Sequence, residues 1–141
     1  MQRKSMAPPK HRIWTATSAR PAAATDIEKQ VVVVACETFI RDVLKPRFLP
    51  QVTPTKWNYA VDIYGVWAGG RYRFIQRYRS GHSHNAGEEF DAPFARIDRM
   101  GRDRFDIYWM RHTGKWWRLH VGVTLVEALR ILEADSVLHP I

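Results

Sequence analysis

Apolar positions in this chain follow two periods. Between residues 57 and 121 they mostly alternate with polar ones, and on either side they recur at helical spacing. Upstream, Thr25-Asp26-Ile27-Glu28 forms a capping box, with the Thr hydroxyl on an early amide and Glu28 reaching back. Behind it Ile27, Val31, Val34, Ala35, Phe39 and Val43 give a helical stripe. The spacing predicts a helix over 25–44, ended by Lys45-Pro46 because proline disfavours a helical predecessor. Downstream, Thr124-Leu125-Val126-Glu127 is a second capping box, followed by the stripe Leu125, Ala128, Leu129 and Leu132. It predicts a helix ending near Ala134, with Ser136 to Ile141 as a short tail.

Between the helices the period of two predicts five strands. The first, Trp57 to Val66, sets Trp57, Tyr59, Val61 and Ile63 against Asn58, Ala60 and Asp62. Gly69-Gly70 turns it into the second, Arg71 to Arg79, with Tyr72, Phe74 and Tyr78 on one side and Arg73, Arg77 and Arg79 on the other. A polar loop over Ser80 to Asp91 leads to a third strand, Phe94 to Met100. Gly101-Arg102-Asp103 turns into the fourth, Arg104 to Met110, and the fifth is Lys115 to Val121. Such an order predicts an α+β fold: a helix, a five-stranded antiparallel meander and a helix, with both helices on one sheet face and the other face open to solvent.

The chain is organised around the last hairpin. Arg111 and Lys115 bracket His112-Thr113-Gly114, a three-residue loop with Gly where a positive φ is needed. That register places Trp109 opposite Trp117, Ile107 opposite Leu119 and Phe105 opposite Val121 on a wholly apolar face. Met110 then faces Trp116, Tyr108 faces Arg118 and Asp106 faces His120. A one-residue slip would mix the two faces, so the clean split selects this register. A similar loop at Gly101–Asp103 sets Asp98 opposite Asp106 and Arg96 opposite Tyr108.

At this hairpin, Tyr108-Trp109-x-Arg111-x-x-x-Lys115-Trp116 resembles the Tyr-Trp-x-Arg…Lys-Trp motif of small bacterial proteins catalogued as domain of unknown function 3024. The resemblance spans roughly residues 27–135 and includes the proline-marked linker, the Arg-rich strand and Pro93-Phe94-Ala95-Arg96. Two features depart from that family: Trp117 stands where its members usually have His, and their aromatic-Gly ending is absent. The resemblance implies a small bacterial, cytosolic domain and brings no activity with it.

Charge changes the picture at one end. The formal charge of the 141-residue chain is +8, and Arg3, Lys4, Lys10, Arg12 and Arg20, with no acid among residues 1–24, supply +5 of it. Residues 1–24, rich in Pro, Ala, Ser and Thr, are expected to be a disordered basic tail, and residues 25–141 a single domain of net charge +3. A basic tail adds weak, salt-sensitive affinity for nucleic acid. The single cysteine, Cys36, excludes an internal disulfide framework and suits a reducing, cytoplasmic compartment. No apolar run approaches the roughly 20 residues of a membrane span, so no membrane partner is expected.

Candidate chemistry lies on the open face. Arg96, Tyr108 and Arg118 form one row, with Trp116 beside it and Arg73 and Arg77 further along. Arginines meeting phosphates and aromatics stacking bases are what single-stranded nucleic acid requires. The competing reading is that these arginines neutralise the neighbouring acids, and the modest +3 of the domain favours it. The second row, Asp98, Asp106 and His120, has the residue types of a metal-assisted nuclease. His82 and His84, near Glu88, Glu89 and Asp91, have metal-ligand types without fixed spacing, and a solvated loop is the simpler account. No Gly-rich phosphate loop, nucleophile elbow or paired-Cys motif occurs. The sequence therefore points to a small binding module without catalysis or cofactor, contacting nucleic acid through its open face. The alternatives are the nuclease, or a protein-interaction or homodimerising domain using Trp116 and Met110.

Overall fold

The computed structural model describes residues 20–140. Helix α1 (Asp26–Phe39) opens on the Thr25–Glu28 capping box, in which both reciprocal hydrogen bonds are formed. It does not stop before Pro46. A π-helical turn over Ile40–Leu44 carries it into α2 (Lys45–Phe48). The wider π turn accommodates a ring that lacks an N–H and would crowd the carbonyl one turn back. The buried face of α1 and the π turn is Val32, Cys36, Phe39, Ile40 and Leu44. Ile27, Val31 and Val34, expected inward, are exposed. Four consecutive valines carry no phase of their own, and the residues flanking them set the rotation.

Five antiparallel strands follow as one meander: β1 (Asn58–Ala68), β2 (Arg71–Ser80), β3 (Glu89–Gly101), β4 (Arg104–Met110) and β5 (Trp116–Val123). Helix α3 (Leu125–Ala134) closes the fold on its own capping box, and a 3₁₀ turn over Ser136–Leu138 ends it. The fold is α+β, with both helices on one sheet face. The core between them gathers Val32, Cys36 and Phe39 from α1, Ala128 and Leu132 from α3, and Ile63, Tyr72, Phe74, Ala95, Ile97, Phe105 and Ile107 from β1 to β4. Burial pushes the Cys36 thiol well above its ordinary pKa, so it acts as a core methyl rather than a nucleophile.

The β3–β4 register is the expected one: Asp98 lies opposite Asp106 and Arg96 opposite Tyr108. The turn is tighter than expected, pairing Gly101 with Arg104, with Asp103 at φ 47°. The β4–β5 hairpin keeps its expected pairs near the tip, Met110 with Trp116, Trp109 with Trp117 and Tyr108 with Arg118. It then departs. Bulges on β5 pair Ile107 with His120 and Phe105 with Val123, so the expected pairs Ile107–Leu119, Phe105–Val121 and Asp106–His120 do not form. Gly122, at φ 68°, supplies the positive dihedral of the second bulge. Leu119 and Val121, expected in the core, are exposed as a result, and Trp117, though it keeps its expected pair with Trp109, is exposed as well. Trp57, also expected inward, is exposed beside Lys56 and His82.

Residues 1–19 of the expected tail lie outside the described residues. Residues 20–24 run against the sheet: the Ala22 amide donates to the Arg99 carbonyl at 2.8 Å, and the Arg99 guanidinium donates to the Ala23 carbonyl at 3.2 Å. Arg99 also pairs with Glu28 at 2.6 Å, joining the α1 cap to β3.

Candidate functional site: the sheet face away from the helices

Strand alternation turns every second residue of the sheet away from the helices. Pairing then aligns Val66, Arg73, Arg96, Tyr108 and Arg118 in one row across all five strands. The next row is Ala68, Arg71, Asp98 and Asp106. The structure thus brings Arg73, Arg96, Tyr108 and Arg118 together, with Trp116 next to them.

Much of this face is sealed by its own side chains. Asp98 is 0% exposed, Asp106 3%, Tyr108 4% and Arg96 9%. The Arg96 guanidinium lies over the Tyr108 ring at 4.1 Å and the Trp116 ring at 5.1 Å. It also grips Asp98 with two bonds, Nε to Oδ1 at 2.7 Å and Nη2 to Oδ2 at 3.0 Å. Arg71 adds a third bond to the same carboxylate, at 3.2 Å. Asp106 accepts from the Gly122 amide at 3.0 Å and has Arg118 at 3.6 Å. Two buried carboxylates on adjacent strands are stable here because three guanidiniums and an amide surround them. Arg71 was not singled out from the sequence. The long loop before β3 hid the β2–β3 register that sets it against Asp98.

Toward the other end of the face, Tyr64, Arg77 and Asp91 form a closed triangle. The Tyr64 hydroxyl donates to Asp91 at 2.7 Å, Arg77 Nε donates to Asp91 at 3.0 Å, and the Arg77 guanidinium stacks over the Tyr64 ring at 4.8 Å. The bonds from Arg77 hold the Asp91 carboxyl below its ordinary pKa, and partial burial raises that of Tyr64. Arg77, a sequence candidate, is thus engaged. The Arg73 side chain is not: among the described residues it has no hydrogen bond, ion pair or ring contact.

His120 does not join Asp98 and Asp106. The β5 bulge turns it toward the helix side, where its Nε2 lies 3.7 Å from Asp135 at the end of α3. His82 and His84 stand close, with ring centroids 5.6 Å apart, and His82 meets the Trp57 ring edge-on. Among the described residues no group of three His, Cys, Asp or Glu is placed to hold a metal ion. No described helix is long and apolar enough to cross a membrane.

A family model described as a domain of unknown function, DUF3024, matches residues 24–139. No curated protein and no solved structure matches the chain.

Proposed function

The chain belongs to the DUF3024 family, and from that premise we propose that it is a small binding module that takes single-stranded nucleic acid on the open face of its sheet. The observation that carries this reading is Arg73. It sits second in the cross-sheet row, between Val66 and Arg96, the row's other cations are matched by acids, and its own charge is unmatched among the described residues. An unmatched guanidinium next to a stack of arginine and aromatic planes supplies a phosphate contact beside a base-stacking platform.

The contacting set is narrower than the composition implies. Arg96 and Tyr108 lie under the surface and brace the face, whereas Arg73, the partly open edge of Arg71 and the half-buried Trp116 are within reach of a ligand. Neutralisation of Asp98 and Asp106 by arginines leaves neither carboxylate free to hold a divalent ion, so the binding reading is preferred to hydrolysis.

The test is a salt titration of the full chain with fluorescent single- and double-stranded oligonucleotides. Saturable binding that prefers single strands is expected. Arg73→Gln lowers the slope of log K against log salt by about 0.7 for single strands, the loss of one phosphate contact. Trp116→Ala costs about 1–3 kcal/mol for one lost stacked base. No binding at low salt, or binding untouched by both substitutions, overturns the reading.

A further inference from the structure

The β4–β5 hairpin tip bounds a cavity of about 580 Å³, lined also by Ala92, Pro93 and Phe94 of β3 and by the chain after α3. We propose that this cavity is a second binding site, and that its ligand is a nucleoside monophosphate held by its base against Trp109 and Phe94 and by its phosphate at Arg111. None of the residues that carry this inference is Arg73, Arg96, Tyr108 or Trp116, so it stands apart from the reading of the sheet face.

The volume falls within the ~300–1,000 Å³ of small-molecule sites. The walls have the composition of such sites too: Pro93, Phe94, Trp109, Met110 and Val137 supply apolar and aromatic surface. The permanently charged group among them is Arg111, with the polar His112, Ser136 and His139 beside it. Its guanidinium lies 4.8 Å from the Trp117 ring centroid and 6.0 Å from that of Trp109. Its Nε is buried and has no hydrogen-bond partner. No ion pair with an acid engages it among the described residues.

Those two facts belong together. A guanidinium stacked on a ring places its π face on the ring, but its five N–H donors lie in the plane and point past the ring edge. Stacking therefore satisfies the charge in part and leaves the buried Nε without an acceptor. A buried donor without an acceptor is costly, and the group that removes the cost is a planar or tetrahedral oxyanion taken by the fork. An anion alone would use the fork and leave the apolar walls wet. A ring alone would cover the walls and leave the fork empty. A ring joined to a phosphate, in a cavity of this size, uses both.

The experiment is a titration of the isotopically labelled full chain with AMP, adenosine and inorganic phosphate, following the Trp109 indole N–H and the Met110 methyl by NMR. Saturable shifts of both with AMP are expected, with adenosine and phosphate each at least about tenfold weaker, as the loss of one charge-assisted contact or one stacked ring requires. Arg111→Gln brings AMP down to the affinity of adenosine and leaves adenosine unchanged. Arg111→Lys, which keeps charge but loses the planar fork, falls between. Arg73→Gln leaves AMP binding intact. The proposal is overturned by any of four results: no shift at these two groups, AMP affinity unmoved by Arg111→Gln, phosphate binding as tightly as AMP, or AMP binding lost with Arg73→Gln, which would move the nucleotide to the sheet face.

Discussion

Asp98 has no exposed surface, yet it is a carboxylate gripped by Arg96 and touched by Arg71. Removing it strands a nearly buried guanidinium. Asp98→Ala is therefore expected to cost about 3–5 kcal/mol, the usual penalty for breaking one side of a buried pair, measured as the shift of the urea midpoint at neutral pH. A loss under about 1 kcal/mol would mean that Arg96 swings out to water. Gly65 makes an opposite demand. A Cβ there would meet the ring of Tyr72, which is itself buried in the core and has no room to retreat. Gly65→Ala is expected to destabilise by ~1–3 kcal/mol through overpacking, in the same urea measurement. Glu28 links charge to pH. Its backbone and side-chain bonds with Thr25, and then Arg99, hold its carboxyl below the ordinary value of 4.5. A depressed folded pKa contributes stability that is present above the unfolded value and is lost as pH falls through the folded one. The melting temperature should therefore drop as pH falls below about 4.5, and Glu28→Gln should flatten part of that drop.

At the scale of elements, capping boxes are short, local and readable. Thr25 and Thr124 each cap their helix as the four-residue patterns imply. Thr25→Ala and Thr124→Ala are each expected to cost about 1 kcal/mol, and the two costs to add, since the caps share no partner. A markedly smaller cost at either site in thermal unfolding would show that tertiary packing holds that helix end by itself. Strand existence and the β3–β4 register were equally legible, because alternation and a glycine turn decide them over a few residues. The β5 register was not. Alternation continues through a bulge as if nothing had happened, and one extra residue flips every side chain after it. Gly122 signals the second bulge, since a glycine inside a strand marks one, but the first bulge, at Leu119, which moves His120 away from the two aspartates, carries no such mark. The rotation of α1 was hidden for another reason: Val31 to Val34 are apolar on all sides, so period gives no face there.

At the scale of the whole molecule, charge is arranged in two parts that answer salt differently. The domain's face is nearly neutralised in place, with Arg96, Arg71 and Arg118 around two buried acids and Arg77 and Arg79 on Asp91 and Glu89. The sequence legibly offered the residues of this face but not their accounting, because the net charge of +3 for residues 25–141 does not say which cations are spent. Residues 1–19, by contrast, hold Arg3, Lys4, Lys10 and Arg12 and no acid. Short, low-dielectric pairs resist screening, whereas open cations act through counterion release. A chain lacking residues 1–19 is therefore expected to keep its preference for single strands over duplex while its salt slope falls by up to about 0.7 for each tail cation that meets a single-strand phosphate. On the proposed reading, preference would come from stacking and placement on the face, and residues 1–19 would add affinity without discrimination. Loss of the preference together with the tail would assign recognition to residues 1–19 and leave the sheet face with a structural role only.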